Sequence, residues 1–156
     1  MERMRGLTDS LESHGLSLTR YEVAVPTIVE GERVCSSVVL RKTKPDAVVC
    51  YNDLVAIGFM GAARALGISI PEDFSVVGVD NIPYGRYTTP PLTTVDTQSE
   101  HLGEEGMRLL IRIITGNDPP APGHVKVEPR LVMRDSTSPR ASAPAVSAPK
   151  ARKSAH

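Results

Sequence analysis

Two apolar runs with a helical pattern between them constrain the fold of this chain most. The first run, Ala47–Tyr51, ends at Asn52, and the second run, Ser75–Val79, ends at Asp80. Parallel strands that are buried on both faces have continuous apolar sequences, and helices cross between them. The pattern therefore predicts an α/β fold with a parallel sheet. Polar side chains follow two neighbouring strands at the sheet end where ligands bind in such folds.

Further helices, strands and loops are predicted on both sides of these two strands. Helices are predicted over Met1–His14, Gly31–Lys42, Asp53–Leu66 and Gln98–Thr115, strands over Tyr21–Val25, Thr93–Val95 and Val125–Met133, and loops over Asn81–Leu92 and Asn117–Gly123. From Ser136 the composition changes to Ser, Ala, Pro, Lys and Arg, and such a segment buries too little apolar area to order itself. We therefore predict one domain over residues 1–135 and a disordered tail over residues 136–156.

Charge and cysteine content exclude some classes of protein. The chain has 156 residues and equal numbers of basic and acidic residues, 18 of each. A nucleic-acid-binding surface needs concentrated positive charge, which this balance does not favour. Cys35 and Cys50 match no metal-binding or redox spacing, so reduced thiols are expected. Met1–Gly15 lacks the apolar core of an export signal, and no apolar stretch reaches the ~20 residues of a membrane span, so we predict a cytoplasmic protein.

The histidines give no sign of catalysis. The four histidines are scattered, and none stands near a Cys or Asp at ligand spacing. Gly58-Phe59-Met60-Gly61 lies inside a predicted helix, so it is not a phosphate-binding loop. We expect no enzymatic activity, no metal and no cofactor.

A series of short motifs runs from the first residues to about residue 137. They include Asn52-Asp53, Ala56-Ile57-Gly58, Arg64-Ala65-Leu66-Gly67, Ile70-Pro71-Glu72-Asp73, Val76-Val77-Gly78-Val79-Asp80, Pro90-Pro91-Leu92-Thr93-Thr94-Val95 and Arg134-Asp135-Ser136-Thr137. Together they resemble the effector-binding portion of bacterial regulators of the lactose-repressor/galactose-repressor (LacI/GalR) family. The resemblance implies a lobe like those of periplasmic binding proteins.

The resemblance also implies a function and partners. In the family, a metabolite such as a sugar or related polyol closes two lobes and controls the DNA-binding heads of a homodimer. There, a strand precedes the first helix, and a second lobe and a helix-turn-helix head precede that strand. The chain is therefore expected to be the C-terminal portion of a larger regulator, with the first strand and most of the other lobe absent. Two alternatives are a fragment of a periplasmic sugar-binding receptor and a structural fragment without activity of its own.

Four residues are candidates for the site. Asp80 can accept hydrogen bonds from ligand hydroxyls, as the resemblance implies, or form a local turn. Asn52 can bind the same hydroxyls or bond locally before the helix, and the sequence does not choose between these roles. Asp53 is predicted to be the N-cap of the following helix. Arg3 matches an arginine that the resemblance places in the cleft, although it can also be an exposed charge at a helix start.

Two positions depart from the family pattern. Pro26 and Ser99 stand where family members place aromatic or apolar residues in the cleft. A simple pyranose effector is therefore less expected, unless another residue supplies the stacking surface. Tyr51 and Tyr84 lie near strand ends and can substitute, or can be structural tyrosines.

Overall fold

Four helices and a four-stranded sheet make up the described part of the chain. The structure is a computed structural model, and it describes residues 2–116 and 126–139. The helices are α1 (Glu2–Ser13), α2 (Ile28–Val39), α3 (Asp53–Ala65) and α4 (Ser99–Ile114), and the strands are β1 (Ala47–Val49), β2 (Ser75–Val79), β3 (Thr93–Asp96) and β4 (Arg130–Val132). The predicted α/β class is confirmed.

The sheet is mostly parallel. Its strand order is β1-β2-β3-β4, with β1, β2 and β3 parallel and β4 antiparallel to β3. Val76 of β2 lies opposite Val48, and Val77 lies opposite Thr93. The carboxyl ends of the three parallel strands therefore meet at one end of the sheet.

The core lies between the sheet and the helix pair α2–α3. Both helices begin at a polar cap, since the Thr27 hydroxyl accepts the Glu30 N–H and the Asn52 side chain accepts the Val55 N–H. Their buried faces are apolar and close-packed. The core consists of Val34, Cys35, Val38, Val39, Cys50, Val55, Ala56, Phe59, Met60, Ala63, Ile70, Phe74, Val76 and Leu92. This packing fixes where α3 begins, and so places Asn52 and Asp53 at the carboxyl ends of the parallel strands.

Two helices contribute nothing to this core. Neither α1 nor α4 has a buried residue in the described structure. The apolar side chains of α4 are largely exposed, among them Leu102, Met107, Leu110, Ile111, Ile113 and Ile114. No helix among the described residues is long and apolar enough to cross a membrane.

The predicted strand over Tyr21–Val25 is wrong. The segment has no regular secondary structure and pairs with no strand of the described sheet, although Tyr21 and Val23 pack against the core. Its residue types favour an extended chain, but a strand also needs a hydrogen-bonded neighbour. The strand predicted over Val125–Met133 shortens to β4, and Val125 lies outside the described residues.

One of the two predicted loops lies within the described residues, whereas the other loop and most of the predicted tail do not. Asn81–Leu92 is irregular, as predicted, apart from a single 3₁₀ turn over Pro83–Arg86. The Asn117–Gly123 loop and residues 140–156 of the tail lie outside the described residues.

The predicted start of the tail is wrong for its first residues. Ser136 is fully buried, its hydroxyl donates to the Val76 carbonyl at 2.6 Å, and the Thr93 N–H donates to that hydroxyl at 2.7 Å. The Ser138 N–H donates to the Ser75 hydroxyl. Composition missed this because the contacts are hydrogen bonds to strand backbone, which need little apolar area.

Candidate functional site

A polar cleft opens where β2 and β3 end and α4 begins. Its volume is about 460 Å³. It is lined by Asp80, Asn81, Asp96, Gln98, Ser99, Glu100, His101 and Glu104. Four of these eight side chains are carboxylates and none is a lysine or arginine, so the cleft does not favour an anionic ligand.

Asp80 is one of the four carboxylates that line the cleft. It follows β2, is half-buried and has a φ of 105°. Its N–H donates to the Val95 carbonyl at 2.8 Å, which ties the turn to β3. Among the described residues, no side chain or backbone group hydrogen-bonds its carboxylate, so the local-turn alternative gains no support. The carboxylate is therefore available to a ligand.

Asn81 continues the turn and links it to two other segments. It too has a positive φ, 53°. Arg134 donates to its Oδ1 at 2.6 Å, and its own Nδ2 donates to Asp96 at 3.2 Å. A second guanidinium nitrogen of Arg134 donates to the Leu92 carbonyl at 2.6 Å. The side chain of Asn81 is therefore used inside the protein.

The predicted capping role of Asp53 is wrong by one residue. Asn52 is the N-cap, because its backbone is extended and its Oδ1 accepts the Val55 N–H at 2.9 Å. Asp53 is instead the first helical residue and is fully buried. Its carboxylate accepts the Thr94 hydroxyl at 2.6 Å and the Ile82 N–H at 2.8 Å. Asn and Asp are equally good caps, so sequence alone could not separate the two positions.

Burial governs the titration of Asp53. Desolvation raises the pKa of the Asp53 carboxyl, and the negative charge of Asp80 also raises it. The hydrogen bonds from Thr94 and Ile82 and the positive charge of Arg134 act in the opposite direction. A Cβ at Gly78 would overlap the Asp53 Oδ1, so glycine is needed there for this close approach. Thr94, Gly78 and Arg134 were not predicted as site residues, although each belongs to a family-like motif.

Asn52 and Arg3 lie at the end of β1, and neither is among the residues that line the cleft. The Asn52 Nδ2 donates to the Pro26 carbonyl at 3.2 Å, so both ends of this side chain have protein partners. Arg3 donates to the Tyr51 carbonyl at 2.8 Å, and its guanidinium lies 4.9 Å from the centroid of the Tyr51 ring. The structure thus brings Arg3 to a strand end, and shows the local role for Asn52.

The described residues offer no metal site. No group of three or more His, Cys, Asp and Glu side chains among them could hold a metal ion. Cys35 and Cys50 are free and buried, and burial raises their thiol pKa values to about 11 and about 12. Both thiols are therefore protonated and poor nucleophiles near neutral pH.

Comparison with known families decides the assignment. The model of the periplasmic binding protein-like domain matches residues 1–137. This chain belongs to that family. In an alignment of 146 residues, the chain is 32% identical to the HTH-type transcriptional repressor PurR of Vibrio vulnificus (strain CMCP6), and the match covers 86% of this chain and 41% of the repressor.

Solved structures place the domain among LacI-type regulators. A LacI-type transcription regulator from Bifidobacterium animalis subsp. lactis DSM 10140 matches with a TM-score of 0.81 and 32% identity, over 87% of this chain and 49% of the regulator. The transcriptional regulator CelR, in a complex with cellobiose, matches with a TM-score of 0.77 and 30% identity, over 86% of this chain and 42% of CelR. The predicted family is confirmed, and the chain spans less than half the length of each of these relatives.

Proposed function

We propose that this domain is the ligand-sensing part of a transcription regulator and that its cleft binds a sugar or related polyol. The observation that carries the proposal is the Asp80 carboxylate, which lines the cleft without a hydrogen-bond partner among the described residues. An ionised carboxylate accepts strong hydrogen bonds from hydroxyl groups. The cellobiose complex of CelR supports a carbohydrate ligand.

The rest of the cleft suits a neutral ligand with many hydroxyls. Ser99 and His101 add groups that can donate or accept, and Gln98 adds an acceptor oxygen, since its Nε2 already donates to the Glu128 carbonyl. Arg3 is a second proposed contact, because it uses one guanidinium N–H on Tyr51 and the group carries five. Asn52 is a weaker candidate, since its amide already holds Val55 and Pro26.

The regulatory step follows from differential affinity. A ligand that binds a closed form better than an open one shifts the population toward the closed form. We propose that this shift reaches a separate DNA-binding head of a longer, full-length regulator, which acts as a homodimer in the cytoplasm. The similarity to transcription regulators supports this role over transport, and over catalysis.

The proposal is tested by Asp80→Ala in the full-length protein, with cellobiose as the probe in calorimetry. Losing a charged acceptor costs about 1.5–3 kcal/mol, so affinity should fall about tenfold or more. The control is Glu72→Ala, which removes an exposed carboxylate before β2, at the opposite end of the strand. Equal affinities in Asp80→Ala and the unchanged protein would contradict the assignment.

A further inference from the structure

We propose that Asp53, Thr94 and Arg134 are positioning residues that hold the Asp80–Asn81 turn in its ligand-binding shape. The proposal rests on the proposed function for what the turn binds. Whether these residues keep the turn in place can be measured by hydrogen exchange, without any ligand.

The turn needs outside support because its backbone is unfavourable. Asp80 and Asn81 both have positive φ, 105° and 53°, and neither is glycine. Such residues persist where the surrounding structure fixes them, and they cluster at ligand sites. Without support, the chain would relax and carry the Asp80 carboxylate away from its place in the cleft.

Three successive backbone N–H groups of the turn are each held from outside. The Asp80 N–H donates to the Val95 carbonyl at 2.8 Å, which is ordinary strand pairing. The Asn81 N–H donates to the Thr94 hydroxyl at 3.3 Å, and the Ile82 N–H donates to Asp53 at 2.8 Å. The last two partners are side chains, so mutation can remove them singly.

Thr94 is the link between the two side-chain partners. Its hydroxyl accepts from Asn81 and donates its proton to the Asp53 Oδ1 at 2.6 Å. Both side chains are fully buried, and therefore neither can contact a ligand in the cleft. Their effect on ligand binding must pass through the turn.

Arg134 holds the turn from the other side. It bridges the Asn81 Oδ1 and the Leu92 carbonyl, at 2.6 Å each. The negative charge of Asp80 raises the pKa of the Asp53 carboxyl, and the positive charge of Arg134 lowers it. Arg134 therefore offsets the repulsion between the two carboxylates. Arg134 follows β4, so its hydrogen bond to Asn81 connects the segment after β4 to the turn after β2.

The test compares Thr94→Val with Thr94→Ser in the full-length protein. Valine has the shape of threonine without its hydroxyl, whereas serine keeps the hydroxyl. We expect Thr94→Val to accelerate hydrogen exchange at Asn81 and Ile82 and to lower cellobiose affinity about tenfold. Thr94→Ser should keep both the exchange rates and the cellobiose affinity close to those of the unchanged protein. Val38→Ala is the control, because it removes buried volume in α2 away from the turn.

Each outcome decides the proposal. Unchanged exchange at Asn81 and Ile82 in Thr94→Val would overturn it, and so would an equal acceleration there in Val38→Ala at matched stability. If Thr94→Val does not fold, Arg134→Met gives the same test at Asn81. If the unchanged protein does not bind cellobiose, the proposed ligand is wrong, while hydrogen exchange still decides the positioning role.

Discussion

At the scale of single residues, one buried hydroxyl holds two strands together. Ser136 binds the backbone of β2 through Val76 and the backbone of β3 through Thr93. We expect Ser136→Ala to lower the free energy of unfolding by about 1–3 kcal/mol, because it leaves a buried N–H without its acceptor. Chemical denaturation measures the change.

The neighbouring Ser138 provides the control for this prediction. Its side chain is exposed, and only its backbone N–H bonds to Ser75. Ser138→Ala should therefore leave the unfolding midpoint within experimental error of the unchanged protein. Equal stability of Ser136→Ala and Ser138→Ala would contradict the role of the buried hydroxyl.

The same scale shows what sequence can predict about a site. The position of Asp80 in the cleft could be predicted, because a carboxylate directly after a buried strand has one characteristic place in a parallel sheet, and its contact with a ligand stays a prediction. Asp53 could not be assigned correctly, because its partners Thr94 and Ile82 are distant in sequence and are brought to it only by folding. Arg134 was missed for the same reason, since it reaches Asn81 across the sheet.

At the scale of elements, α2 and α3 approach so closely that glycine is required at their contact. A Cβ at Gly58 would overlap the Ile28 carbonyl oxygen, and a Cβ at Gly31 would overlap the Val55 carbonyl oxygen. We expect Gly58→Ala to destabilise the fold by about 1–3 kcal/mol, as overpacking typically does. Thermal or chemical unfolding followed by circular dichroism gives the value.

Gly61, one turn further along α3, is the matched control. A Cβ there would meet nothing within 4 Å. Gly61→Ala should stabilise the protein by up to about 1 kcal/mol, because alanine favours the helix more than glycine does. A destabilisation of the same size in both variants would show that helix contact is not the cause.

Helices were easier to predict than strands in this chain, for a physical reason. An apolar stripe and a cap are local, so α3 was predicted over Asp53–Leu66 and observed over Asp53–Ala65. A strand depends on a partner that is distant in sequence. Ser75–Val79 has such partners on both sides, whereas the Tyr21–Val25 segment has none in the described sheet.

At the scale of the whole molecule, the helices α1 and α4 leave apolar surface uncovered. On α4, Leu110 is 48% exposed and Ile114 is 73% exposed, and neither helix has a buried residue. Large exposed apolar patches promote association. We therefore expect these 156 residues, produced alone, to bind an apolar dye and to form oligomers that grow with concentration in sedimentation experiments.

The association should depend on the apolar face of α4 rather than on its charge. Leu110→Gln with Ile114→Gln should reduce both dye binding and oligomer formation. The control is Glu105→Gln with Arg108→Gln, which removes an ion pair from the same helix without changing net charge. The arginine of that pair is exposed, and such ion pairs contribute little to stability. Association should therefore persist in the control. A monodisperse monomer that binds no dye, before any substitution, would contradict the prediction and show that the exposed face does not drive association.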